Sequence, residues 1–204
     1  MGHWGILYFR MRVIAGSKRG MRLLSPKTDV SRPITDRVKE SLFNVLYKYD
    51  LPDGKRAADL FCGVGSLGLE ALSRGAEFVV FVEQDPKIIA VLKRNIEKAG
   101  FIEESKVIRA NAFRVGAPSG FNEEKHDVIF VDPPYAATRD VEEDSKLSEL
   151  LALLSEQLNP DGIVAVRTDR RTELLEQYGL LEIIERRQWG TMAVTILRKG
   201  QNKE

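Results

Sequence analysis

The chain has 204 residues, 31 Lys and Arg against 30 Asp and Glu for a formal net charge of +1, and one cysteine. With 43% apolar and 30% charged residues it can bury a core, which excludes disordered, collagen-like and coiled-coil classes and predicts one domain with at most a small appendage. A lone Cys62, with only His3 and His126 as histidines, excludes an internal disulfide and zinc-ligand spacing, and no stretch approaches the roughly 20 apolar residues of a membrane span; the expectation is a metal-free, cytoplasmic monomer.

Residues 1–10 lack the charged and apolar regions of a secretory signal and are expected to be a leader or extension. Between Arg10 and Glu40, nine basic residues (Arg10, Arg12, Lys18, Arg19, Arg22, Lys27, Arg32, Arg37, Lys39) face three acids (Asp29, Asp36, Glu40). That block is either an electrostatic footprint for a polyanion or a solvated basic surface. Two apolar runs, Arg12 to Ala15 and Met21 to Leu24, flank a loop with Gly16 and Gly20 at its ends, predicting a hairpin with Lys18 and Arg19 at the tip. Apolar residues at Val38, Leu42, Val45, Leu46 and Tyr49 mark one face of a helix capped by Thr35 and Asp36. The turn cluster from Asp50 to Gly54 separates this unit, residues 11–50, from a second unit, residues 51–200.

In the second unit short apolar runs alternate with amphipathic stretches. Strands are predicted at Ala57 to Phe61, Phe78 to Glu83, Val107 to Arg109, Asp127 to Val131, Ile163 to Arg167, Leu181 to Arg186 and Met192 to Arg198. Helices are predicted at Leu67 to Arg74, Pro86 to Ala99, Ser145 to Gln157 and Thr172 to Tyr178. The alternation predicts an α/β fold: a doubly wound, mostly parallel, seven-stranded Rossmann-like sheet. The short connection through Trp189 and Gly190 leaves no room for a crossover helix, so the last strand should run antiparallel.

The first strand of that sheet ends in Asp59, Phe61 and Cys62, and Gly63, Gly65 and Gly68 then satisfy G-x-G-x-x-G, with Glu83 closing the next strand. Glycines let backbone approach a ligand, a helix N-terminus favours an anionic group, and a carboxylate accepts from ribose hydroxyls. Both NAD and S-adenosylmethionine meet those terms. Asp59 favours the second, because a carboxylate inside an apolar strand needs a cation or donors, and a methionine ammonium supplies one.

The fourth strand runs into Asp132-Pro133-Pro134-Tyr135. Two prolines remove two N–H donors and leave carbonyls. The Asp132 carboxylate and the Pro133 carbonyl then make an acceptor pair suited to an –NH2 group, and Tyr135 can stack on an extruded base. Acceptors on the hydrogens of a nucleobase amine draw its lone pair out of the ring and stabilise the charge that develops during attack on a sulfonium methyl.

These residues, with Phe81 to Glu83, Arg12 to Gly16, Arg32 to Asn44 and Trp189 to Thr191, resemble the Rossmann-like S-adenosylmethionine-dependent methyltransferases, and within them the bacterial RsmD type that methylates guanine N2 in small-subunit ribosomal RNA. The resemblance runs from Met11 to about Lys199. It implies S-adenosylmethionine bound by Asp59, Phe61, Gly63, Gly65, Gly68, Glu83, Asn111 and Ala112, a catalytic turn of Asp132, Pro133, Pro134 and Tyr135, and RNA contacts from Lys18, Arg19, Arg32, Thr35 and Arg37. The partner it implies is 16S ribosomal RNA, within a small-subunit particle. An adenine-N6 methyltransferase, an NAD-dependent oxidoreductase and a non-catalytic RNA-binding assembly factor remain open at this stage.

Overall fold

The structure, a computed structural model, describes residues 11–25, 34–120 and 124–200. One sheet contains β1 (Arg56–Leu60), β2 (Phe78–Glu83), β3 (Ser105–Arg109), β4 (His126–Val131), β5 (Leu158–Asp169), β6 (Gln177–Tyr178), β7 (Leu181–Trp189) and β8 (Met192–Lys199) in the order β3-β2-β1-β4-β5-β8-β7-β6. The pairings from β3 through β5 are parallel, whereas β8 inserts antiparallel between β5 and β7. The hairpin turn at Gly190 (φ +56°) forces that reversal.

The central strands are predominantly apolar because both faces are covered. Ala57, Val79, Phe81, Val128 and Phe130 face a layer made by α1 (Asp36–Leu46), α2 (Ser66–Ser73) and α3 (Pro86–Ala99). Their neighbours Ala58, Val80, Val82, Ile129 and Val131 face α4 (Ala112–Val115) and α5 (Lys146–Gln157). Phe43 of α1 packs on Phe130 of β4 with ring centroids 5.7 Å apart, both fully buried, each contributing about 1.5–3 kcal/mol of transfer free energy.

The N-terminal hairpin is present: Arg12 bridges Arg22, Val13 donates to Met21 and Gly20 to Val13. It is fastened to α2 by a buried carboxylate. Glu70 accepts the amides of Ile14 (2.8 Å) and Ala15 (3.0 Å), pairs with Arg74 (2.7 Å) and lies 3.6 Å from the buried Lys39 ammonium of α1. Burial pushes the Lys39 pKa down against the pull of Glu70 and Asp36. Asn95 of α3 ties Leu24 and the Val64 carbonyl together.

Two expectations are corrected. The sheet has eight strands rather than seven, and Thr172 to Tyr178 is not a helix but an extended segment ending in β6. Arg186 donates to the carbonyls of Arg170 and Thr172, holding the segment onto the sheet, while the Tyr178 hydroxyl accepts from the Leu175 amide and Gly179 (φ +58°) turns the chain into β7. Seven residues are too few for a helix to outweigh those contacts.

Candidate active site at the carboxyl edge of the sheet

Strand register assembles the site. Leu60 is level with Val82 and Val131, and Val131 with Val166, so the next residues on each strand share one edge. Along that edge stand Glu83 of β2, Asp59 of β1, Asp132 after β4 and Arg167 of β5: three carboxylates in a row closed by one cation. A chain reversal of strand order between β1 and β4 opens the crevice in which open α/β sheets bind ligands.

After Leu60 the backbone turns sharply, with positive φ at Phe61 (+55°), Gly63 (+54°) and Gly65 (+87°). A Cβ on Gly63 would meet nothing within 4 Å, so its outer side is open, whereas one on Gly68 would lie 2.3 Å from the Phe81 ring. Gly63 thus borders free space, and Gly68 lets α2 approach β2. Gly65 offers α2 no side-chain cap, and Asp59 Oδ2 supplies one from the neighbouring strand by accepting the Gly68 amide at 2.8 Å. Burial pushes the Asp59 pKa well up; the Gly68 hydrogen bond opposes this, and the charges of Asp132 and Glu83 add to it. Ser66 Oγ, buried at the head of α2, has no hydrogen-bond partner.

Glu83 Oε2 accepts the Gly63 amide at 3.1 Å and Oε1 accepts those of Gln84 and Asp85. A carboxylate has about four lone-pair sites, so one remains for a ligand hydroxyl. Asn111 caps α4 by accepting the Phe113 amide at 3.0 Å, Ala112 is buried behind it, and Phe113 packs on Phe61 with centroids 4.7 Å apart. These residues flank the glycine turn on the β3 side. Cys62 is buried and its thiol pKa is pushed up by that burial, which suits a packing residue and not a nucleophile.

The Asp132 amide donates to the Leu60 carbonyl at 3.4 Å, which carries the β1 to β4 ladder into the Asp-Pro-Pro-Tyr turn. Pro133 is buried, Pro134 is exposed, and Tyr135 opens a short 3-10 turn, its hydroxyl buried without a partner. Sequence reasoning missed Arg167. Its Nε donates to Asp132 Oδ1 and its guanidinium lies 5.8 Å from the Tyr135 ring centroid. Burial raises the Asp132 pKa, and the Arg167 charge and hydrogen bond pull against that rise. An arginine closing the apolar run from Ile163 to Val166 was the available signal.

The expected RNA-contact residues divide. Thr35 caps α1 and Arg37 is exposed in its first turn. The far end of α1 stacks on Arg74 at the C-terminus of α2, while Lys39, one turn before Phe43, acts on Asp59, so the N-terminal half of α1 lies on the Asp59 side of α2. Lys18 and Arg19 lie at the opposite end: the Lys18 amide donates to Ser73 Oγ at the end of α2, about 12 Å of helix away from the glycine turn. Lys18 Nζ instead sits 5.5 Å from the Phe101 ring centroid. Arg32 lies outside the described residues. Among the described residues no group of three or more His, Cys, Asp or Glu side chains could hold a metal ion, and no helix is long and apolar enough to cross a membrane.

The chain is 39% identical over 191 residues to YlbH of Bacillus subtilis (93% of this chain, 99% of the relative). It is 35% identical over 178 residues to ribosomal RNA small subunit methyltransferase D of Haemophilus influenzae (84% and 86%). The solved structure of yhhF from Escherichia coli superposes with a TM-score of 0.78 at 28% identity, covering 95% of this chain and 99% of that one. The model of the family described as Conserved hypothetical protein 95 matches residues 11–198. With that match and those relatives, the chain belongs to the Conserved hypothetical protein 95 family, the family of ribosomal RNA small subunit methyltransferase D.

Proposed function

We propose that this protein transfers a methyl group from S-adenosylmethionine to the exocyclic N2 amine of a guanine in small-subunit ribosomal RNA. The observation that carries the reading is the Asp132-Pro133-Pro134-Tyr135 turn, set one strand from the glycine turn by the β1 to β4 register.

The residues present fit the cofactor. Its ammonium suits the buried carboxylate of Asp59 beside the glycine turn. The open side of Gly63 gives backbone access, the spare acceptor of Glu83 suits a ribose hydroxyl, and the unpartnered Ser66 hydroxyl is a further polar group directly after the glycine turn. S-adenosylmethionine supplies an activated methyl on sulfur. The protein's part is orientation: Asp132 and the Pro133 carbonyl accept the amine hydrogens, and the Tyr135 ring offers a stacking face for the base. Asp132 also stabilises the positive charge that grows on nitrogen as the bond forms.

Substrate class follows from the family, whose Haemophilus influenzae member carries ribosomal RNA in its name, and from Arg37 and Thr35 at the site's end of α1. The decisive experiment is methyl transfer from labelled S-adenosylmethionine to small-subunit particles and to naked RNA, followed by nucleoside identification. N2-methylguanosine is the expected product. N6-methyladenosine would replace the guanine assignment, and absence of label from both substrates would remove the enzymatic one.

A further inference from the structure

The cation at the end of the acidic row lies outside both the glycine motif and the Asp-Pro-Pro-Tyr motif. Arg167 leaves β5, pairs with Asp132 through Nε, and places its guanidinium plane near Tyr135, so one buried side chain touches both functional residues of the turn. On the reading of the site as an amine methyltransferase centre, we infer that Arg167 is the positioning residue of the transfer step, holding the Asp132 carboxylate as an oriented, ionised acceptor and bracing the Tyr135 ring.

The physical case begins with crowding. The charged groups around Asp132 are Arg167 from β5 and Asp59 from β1, with Glu83 of β2 beyond it and Lys39 of α1 acting on Asp59 from the helical layer. Burial pushes Asp132 toward its protonated form, and Arg167 is the group that opposes it. A protonated Asp132 presents an O–H where the amine needs an acceptor. A carboxylate free to rotate loses the alignment on which the acceptor pair depends. A guanidinium answers both problems, because its planar array of donors fixes the plane of the carboxylate as well as its charge. Arg167 itself is anchored by the β5 ladder, where Arg167 pairs with Val194 of β8, so the constraint comes from the sheet rather than from a loop.

The test uses the full chain with Arg167→Gln and Arg167→Lys. In single-turnover methyl transfer to small-subunit particles, Arg167→Gln is expected to lower the rate constant by about 10- to 100-fold while S-adenosylmethionine affinity stays within about threefold. The acid limb of its pH profile should move to higher pH, and Arg167→Lys should restore the limb toward its original position and part of the rate. A carbon-13 titration of the Asp132 carboxyl in the substrate-free protein provides a readout independent of turnover: its midpoint should rise in Arg167→Gln and return in Arg167→Lys. Should Arg167→Gln fail to fold, the lysine variant carries the test alone, with a smaller rate loss at an unshifted acid limb. Wild-type rate and unchanged Asp132 titration in a folded Arg167→Gln protein overturn the inference, as does a rate loss that Lys does not rescue and that leaves the pH profile fixed. An unmodified protein that transfers no methyl group overturns instead the function on which the inference rests.

Discussion

Asp59 accepts the amide proton of Gly68 at 2.8 Å from an adjacent strand, and the same buried carboxylate borders the crevice beside the glycine turn. It therefore caps α2 from the edge along which Glu83 and Asp132 also stand. Because burial raises its pKa, folding is most favourable for this group below its unfolded value of about 4, and the contribution is withdrawn as pH rises toward the raised folded value.

Asp59→Asn should consequently stabilise the empty protein at neutral pH, since the amide keeps an acceptor for Gly68 without a buried charge. We expect a Tm rise of about 2 °C or more at pH 7 that shrinks toward pH 4, together with a fall in S-adenosylmethionine affinity on the order of tenfold. Thermal melts over that pH range and titration calorimetry measure both. In the unsubstituted protein, cofactor affinity should weaken as pH falls and Asp59 takes up a proton. A variant that melts lower at pH 7 and binds normally would show that Asp59 only caps the helix.

Asp132→Ala removes the acceptor at the turn without touching the glycine loop. Cofactor affinity should stay nearly intact while turnover drops by a factor on the order of 10² or more. Calorimetry paired with labelled-methyl turnover separates the two effects, and retention of turnover would remove Asp132 from the catalytic assignment.

Glu70→Ala should be the most destabilising of these substitutions. It strands the buried Lys39 ammonium and Arg74, and it frees the amides of Ile14 and Ala15. Loss of one partner of such a buried network costs about 3–5 kcal/mol, so the midpoint of thermal unfolding should fall by roughly 10 °C. A fall of only a degree or two would mean that the hairpin is not held by this carboxylate.

Placement of the basic residues predicts unequal effects on RNA. Arg37→Ala should weaken binding and lower the salt dependence by roughly one phosphate contact, whereas Arg19→Ala, at the far end of α2, should change methyl transfer less. Salt titrations of RNA binding for both variants give the comparison, and equal effects would mean that RNA wraps both ends of the domain.

Much of this protein was legible because its signals are local. Uninterrupted apolar runs require strands buried on both faces. Gly63, Gly65 and Gly68 mark a turn with positive φ and a close helix contact, and two prolines after Asp132 fix a turn whatever surrounds it. The segment from Thr172 to Tyr178 went astray because its helical spacing competes with Arg186, which reaches it across the sheet.

Sequence alone located most of the strands and helices and the edge at which the glycine turn and the Asp132 turn lie. Only the tertiary structure decided which groups control their charges. Arg167 is 35 residues from Asp132, and Glu70 is 56 and 55 residues from the amides of Ile14 and Ala15 that it gathers. Partners so distant leave no periodic trace, because a buried charge is satisfied by proximity in space, and that proximity exists only after the sheet has brought its edges together.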